Sequence, residues 1–251
     1  MLKLQNIDVT IAKGTKSEWH ILQDLNLNVS SGEFIVVIGS NGAGKSTMLN
    51  VISGLTKPDC GEALIENQNI ANLPKSLMCS VIAKVTQDPK RGTMENMTIY
   101  ENMAFSLKRG ASRFLIPFAT ENRKSLFQEK LRLLDMGLEN RIDDIVSNLS
   151  GGQRQALSLV MSTLAGAKIF LLDEITAALD PKAADQVIKL TNKIIRDEKA
   201  TCIMITHNMS HAIEYGDRTL LLKDGNFIKE FSGDNKKHLT PVSLAAEFGE
   251  I

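Results

Sequence analysis

Through residues 2–29 apolar side chains recur at close to every second position: Leu2, Leu4, Ile7, Val9 and Ile11, then Ile21, Leu25, Leu27 and Val29. A period of two is the pattern of strands with one buried face, so Leu2–Ile11 and Ile21–Val29 read as strands. The turn SSGE follows, then Phe34–Ile38, an unbroken apolar run that reads as a short buried strand. Together the three stretches predict an antiparallel N-terminal sheet that leads into a glycine-rich loop. Beyond that loop the period changes: Met48, Leu49, Ile52 and Leu55 have helical spacing. A turn at KPDCGE, residues 57–62, precedes another strand, ALIEN.

From about Asn96 to Leu164 the strand signal vanishes. Thr98 and Glu101 have the spacing of a capping box ahead of an amphipathic helix, and the charged stretch from Glu121 to Leu138 predicts a second helix. Short apolar strands return in IFLLDE, TCIMITHN and RTLLLKDG, alternating with helical patterns. The fold class is therefore α/β, with a helical insertion in a sheet-forming chain.

Composition narrows the picture. The chain has 251 residues, 43% of them hydrophobic, enough for one sizeable core or two fused smaller ones. Lys and Arg number 29 and so do Asp and Glu, so net charge gives no reason to expect nucleic acid as a partner. Cys60, Cys79 and Cys202 are isolated, without metal-ligand spacing, which fits ordinary thiols in a reducing compartment. No apolar run approaches the ~20 residues of a membrane-spanning helix. The N-terminus has no signal-peptide pattern. The expectation is a soluble, cytoplasmic chain.

The loop between the buried run and the helical pattern carries chemistry. Residues 39–47 read GSNGAGKST, with Gly39, Gly44, Lys45 and Ser46 at the spacing G-x-x-x-x-G-K-S. Phosphates need converging backbone N–H groups, and residues without Cβ let the main chain curl closely enough to supply them. The loop runs into a helix N-terminus, which favours anions. Gly39, Ser40, Asn41, Gly42, Ala43 and Gly44 form the cradle, Lys45 reaches the β- and γ-phosphates, the Ser46 hydroxyl takes Mg²⁺, and Thr47 stays near the α-phosphate. In IFLLDE, Asp173 and Glu174 end a strand, where a parallel sheet opens on its ligand crevice. Asp173 would hold Mg²⁺ through water, and Glu174 would polarise the water that attacks the γ-phosphate. Alone, such an acidic pair is equally a solvated turn.

LSGGQRQ, residues 149–155, points further. The chain resembles the nucleotide-binding subunits of ATP-binding cassette (ABC) transporters from about Leu2 to Glu230. Six motifs match in order: Walker A at Gly39–Thr47, Gln87 in KVTQDP, the signature at Leu149–Gln155, Walker B at Ile169–Asp173 with Glu174, the D-loop at Ala178–Asp180, and the switch residue His207 in ITHN. The resemblance implies a RecA-like P-loop NTPase core with an antiparallel β subdomain and an inserted α-helical subdomain. The expected boundaries are 1–88, 89–164, 165–235 and a tail at 236–251. It implies ATP and Mg²⁺, with Gln87 helping to position Mg²⁺ and water and His207 touching the γ-phosphate. It further implies a head-to-tail homodimer, or a dimer with a close relative, in which Ser150, Gly151, Gly152 and Gln153 cover the ATP of the opposite chain. The implied partners are integral-membrane permease subunits at the cytoplasmic face of the membrane and, through them, a solute-binding protein.

Three features depart from the family pattern. Ile175 replaces the proline of DEPT, which suggests a less rigid turn. Ala156 and Met161 stand where the signature helix usually has arginines. Ile11 stands where an adenine-stacking aromatic is expected. LSGGQRQALSL and TAALDP resemble a bacterial importer group whose permeases are similar to those for branched-chain amino acids and sugars. The expected function is ATP-driven import of a small solute; a lipid or lipoprotein exporter and a soluble non-transport ATPase are the alternatives. SRFLIPF at 112–118 is the stretch expected either to pack the helical insertion or to face the permease.

Overall fold

The computed structural model describes residues 1–110 and 120–247. SRFLIPF lies outside them. The chain opens with β1 (Leu2–Ile11), β2 (Trp19–Val29) and β3 (Phe34–Ile38), followed by α1 (Lys45–Ile52). β4 (Cys60–Ile65), the two-residue β5 (Gln68–Asn69), α2 (Lys75–Val81) and β6 (Ile82–Val85) complete the first part. Three helices follow, α3 (Ile99–Leu107), α4 (Glu121–Arg132) and α5 (Gly151–Thr163). The chain then alternates β7 (Ile169–Asp173), α6 (Pro181–Asp197), β8 (Thr201–Ile205), α7 (Met209–Glu214) and β9 (Arg218–Lys223). It ends in β10 (Asn226–Ser232), α8 (Gly233–Lys237) and α9 (Pro241–Ala246).

The strands form two sheets. A four-stranded antiparallel sheet has the order β2-β1-β4-β5, and a six-stranded sheet has the order β10-β9-β3-β8-β7-β6, parallel except for β10. Here the N-terminal expectation needs correction. Phe34–Ile38 leaves the antiparallel sheet and lies between β9 and β8. Its five residues are all buried, because a central parallel strand is covered on both faces and has no use for a polar alternate. Phe34, Val36 and Ile38 join one core with Phe170, Leu172, Cys202 and Met204, while Ile35 and Val37 join the other with Leu171, Ile203 and Leu220. The first core is roofed by α3 to α6, and the second by α1 and the antiparallel sheet. Arg218 ties the two sheets together: its guanidinium donates to Glu33 Oε1, to both carboxylate oxygens of Glu230 and to the Asn28 carbonyl.

The capping box at Thr98 and Glu101 is present. The second expected helix is shorter than its charge pattern suggests. Asp135 (φ 52°) and Gly137 (φ 71°) have left-handed backbone, so α4 stops and a 3₁₀ turn covers Leu138–Asn140. α1 likewise ends at Ile52, which leaves Leu55 exposed rather than on the buried face. The absent proline of DEPT has a structural counterpart: Ile175 is buried in the first core and anchors its turn by packing. Ala156 and Met161 are also buried core residues of α5. Among the described residues no helix is long and apolar enough to cross a membrane.

Phe127 fixes the helical part to this core. It is fully buried on α4, with its ring centroid 5.4 Å from that of Tyr100 on α3. Replacing Phe127 by alanine is expected to cost about 3–5 kcal/mol of unfolding free energy, read from urea denaturation. A loss below about 1 kcal/mol would show that the helical part does not depend on this contact.

Candidate nucleotide site

The loop after β3 is shaped by close approaches. A Cβ on Gly39 would lie 2.4 Å from the Leu222 carbonyl oxygen of β9, so only glycine lets the loop leave the sheet here. Gly44 caps α1 with φ 101° and lies against the Ile21 carbonyl of β2, where a Cβ would come within 2.7 Å. No side chain caps this helix and its first turn has no acidic residue, so its leading N–H groups face the loop's concavity unopposed. Lys45 is buried, and its ammonium donates to the carbonyls of Gly39 (2.7 Å) and Ser40 (2.9 Å). Burial lowers its pKa, against the raising influence of Glu174 and Asp173. Ser40, Asn41, Gly42 and Ser46 are exposed, Thr47 is half-buried and Ala43 is buried beneath the loop.

Parallel register brings the acidic pair to this loop. Asp173 pairs with Ile205, and β8 in turn pairs with β3. The Ser46 hydroxyl lies 3.4 Å from Asp173 Oδ1 and donates to it. Burial raises the Asp173 pKa, while Lys84 opposes the shift. Lys84, on β6, is itself held by a 2.7 Å bond from its ammonium to Asn50 Oδ1 of α1, and burial lowers its pKa. Glu174 has left-handed backbone, φ 51°, which is uncommon for a residue with a Cβ and marks a position fixed by its surroundings. Its amide donates to the Ile205 carbonyl at 3.1 Å, and its carboxylate accepts from His207 Nε2 at 2.8 Å. The two side chains border a cleft that also includes Thr176, Leu179 and Asn208.

Gln87 is exposed two residues beyond the end of β6, next to the strand that bears Asp173. Its segment is tied to α5: Gln155 Nε2 donates to the Thr86 carbonyl at 3.2 Å, and Arg154 Nε donates to Thr93 Oγ1 at 2.7 Å. Ser150 caps α5 by accepting from the Gln153 amide, and the Gln153 side chain accepts from the Ser150 amide. These groups are thus bonded within their own helix turn, not to this chain's phosphate loop. Gly152 presses on Ala183 of α6, where a Cβ would meet the alanine's at 2.9 Å. Ile11 is exposed at the end of β1, opposite Trp19.

Sequence reasoning missed Lys84, Asn50, the Arg154 and Gln155 ties, and Trp19. A lysine inside an apolar strand pattern was the one available signal for Lys84. The expected strand began at Ile21, two residues too late to include Trp19.

A phosphate-binding loop and an acid–histidine pair at the ends of adjacent parallel strands define a P-loop nucleoside triphosphatase. The comparisons with known proteins narrow this. Residues 22–177 match the family described as ABC transporter. The chain is 39% identical over 248 residues to the tyrosine transport ATP-binding protein of Clostridioides difficile, covering 99% of this chain and 98% of that one. It is 33% identical over 236 residues to the xylose/arabinose import ATP-binding protein of Sulfolobus acidocaldarius, covering 92% and 90%. Among solved structures, a dimeric ATP-binding cassette in a post-hydrolysis state with ADP and Pi superposes with TM-score 0.78 at 30% identity, covering 92% and 98%. The chain belongs to the ABC transporter family. It is the ATPase subunit of such a transporter and uses ATP and Mg²⁺.

The donor set fits Mg²⁺. Ser46 Oγ and Asp173 Oδ1 are hard oxygen donors side by side, and no group of three or more His, Cys, Asp or Glu among the described residues makes an all-protein cage. Ser46 and Asp173 would hold the ion, which would supply charge neutralisation at the phosphates. Asp173→Asn should therefore raise the Mg²⁺ concentration needed for half-maximal phosphate release by at least about tenfold, since a hard cation loses a carboxylate at its site. An unchanged Mg²⁺ dependence would remove Asp173 from the metal site.

Proposed function

We propose that this chain powers the import of a small solute, as one half of a head-to-tail dimer docked on the cytoplasmic face of a membrane permease. The carrying observation is the division of labour within one chain. The phosphate loop, Asp173, Glu174 and His207 form one continuous cluster, whereas the Ser150–Gly152 helix start is bonded within its own turn against α6. A second anion-binding helix N-terminus away from the loop is put to use when a partner copy presents its ATP there. The dimeric cassette that matches this fold supports the arrangement. The import reading is supported by the relatives named for tyrosine transport and for xylose/arabinose import, and the first makes an amino acid the leading solute class.

In this reading Lys45 exchanges the Gly39 and Ser40 carbonyls for phosphate oxygens. The loop amides and the start of α1 hold the triphosphate from behind. Glu174 accepts the proton of the attacking water, and the His207 bond keeps its carboxylate facing that water. Gln87 reports occupancy toward the permease through the segment that Arg154 and Gln155 hold to α5. A solute-binding protein would deliver the solute on the far side of the permease. Uptake of labelled amino acids and sugars into vesicles that contain this chain together with a co-purifying permease tests the direction and class of transport; ATP-driven efflux would reverse the import assignment.

Glu174→Gln should lower steady-state phosphate release by about 10²–10⁴-fold while ATP affinity holds, because the base is lost and the phosphate cradle is not. The trapped ATP should shift the variant to dimer on size-exclusion chromatography. Turnover at the wild-type rate would remove Glu174 from the chemistry.

Lys45→Ala and Ser150→Arg should each be inactive alone. Mixed, they should form heterodimers with one site carrying both defects and the other carrying neither, and so recover part of the phosphate release. Heterodimers demonstrated by cross-linking but still inactive would rule out composite sites.

A further inference from the structure

We propose that Lys84 is a resident counter-charge of the metal site, set beside Asp173 so that Mg²⁺ binds there well only together with the triphosphate. The proposal rests on the assignment of Asp173 to Mg²⁺ above and adds a residue to that site.

The placement follows from strand alternation. On β6, Ala83 and Val85 enter the first core and Ile82 the second; on β7, Phe170 and Leu172 enter the first, and Ile169 and Leu171 the second. Lys84 and Asp173 therefore share the sheet face that α1 covers. Lys84 pairs with Leu171, and Asp173 lies two residues further along the same side of β7. The helix supplies the matching half. Ser46 and Asn50 are four positions apart on α1, so they line one stripe, a turn apart. That stripe meets the sheet twice: Ser46 Oγ lies 3.4 Å from Asp173 Oδ1, and Asn50 Oδ1 accepts from the Lys84 ammonium at 2.7 Å. Around these polar contacts α1 packs through Met48, Leu49, Val51 and Ile52. Lys84 thus holds its ammonium one helical turn, ~5.4 Å, below the metal donors.

An ammonium partly withdrawn from water beside an apolar core carries a desolvation cost that a leucine would not. A tie between α1 and β6 alone needs no charge. Asp173 gives the charge its purpose. Burial raises the Asp173 pKa and Lys84 counters the rise; burial lowers the Lys84 pKa and Asp173 counters the fall. Lys45 has a different task, because it is bonded to loop carbonyls that it exchanges for phosphate oxygens. Lys84 is bonded to a side chain outside the loop and stays in place. The carboxylates of Asp173 and Glu174 are then balanced by the ammonium groups of Lys45 and Lys84, so a bare divalent cation gains little here. A triphosphate brings negative charge and oxygen ligands to the same point, and the cation binds with it. By linkage each of the two raises the affinity of the other. Lys84 acts through Asp173, as a positioning residue for the metal.

Mn²⁺ binding to the nucleotide-free protein, read from the free-ion signal in electron paramagnetic resonance, tests this. Lys84→Gln and Lys84→Met both remove the charge; the first keeps a donor for Asn50 and the second keeps the length of the stem. Each should bind Mn²⁺ about tenfold more tightly than wild type, the effect of a unit charge on a divalent ion at this separation in a dielectric near that of water. Each should also bind ATP in EDTA more weakly, by about threefold or more, while Lys84→Arg stays within about twofold of wild type in both assays. Adding Asp173→Asn to Lys84→Gln should abolish the gain in Mn²⁺ affinity. Neutral variants that bind Mn²⁺ no more tightly than wild type would overturn the proposal and leave the Asp173 assignment standing. An equal change in Lys84→Arg would overturn it too, by showing that shape rather than charge matters. A gain that survives Asp173→Asn would overturn the Asp173 assignment itself.

Discussion

The site depends on β3 running parallel between β8 and β9. Parallel pairing sends the C-terminal ends of β3, β7 and β8 to the same edge of the sheet, so the phosphate loop, the Asp173–Glu174 pair and His207 emerge together although Gly39 and His207 are 168 positions apart. Every residue of β3 is buried, which leaves the strand no alternative register: a slip by one would exchange Phe34, Val36 and Ile38 with Ile35 and Val37 between two differently shaped cores. The same register places the Glu174 amide on the Ile205 carbonyl and so holds its unusual backbone.

Charge at this edge is held by the protein's own groups. Lys45 and Lys84 are both partly withdrawn from water, which disfavours their charged forms, and Asp173 is withdrawn beside them. Each lysine is held by oxygens of the protein, Lys45 by two loop carbonyls and Lys84 by Asn50. The ammonium groups thus have oxygen partners within the chain, and Lys45 can exchange neutral oxygens for charged ones. That exchange makes a preorganised site favour a polyphosphate.

The helical part is joined to this edge by few but specific contacts. Arg154 and Gln155 are buried, and both reach across from the signature helix to the segment after β6 that bears Gln87. Gly152 packs on the first turn of α6, which begins where the D-loop ends. α5 thus touches both the Gln87 segment and the start of α6.

Much of this was legible in the chain itself. The spacing of Gly39, Gly44, Lys45 and Ser46 determined the phosphate loop, because that chemistry is local: backbone curvature, a helix start and a lysine within reach. The order of six short motifs determined the family, and the Thr98–Glu101 spacing determined a helix start. What lay beyond the sequence were long-range pairings. The membership of Phe34–Ile38 in the parallel sheet, the Lys84–Asn50 bond beside Asp173, the Arg154 and Gln155 ties and the Trp19 indole over Gly42 all join residues whose proximity no local spacing encodes. Ile11 illustrates the difference: linear position pointed to a residue without a ring, and strand pairing put a ring beside it. Sequence alone determined the residue types and spacing of the loop after β3, since these follow from short-range order in the chain. Only the tertiary structure decided which groups surround the site, because sheet register and packing bring together side chains far apart along the chain.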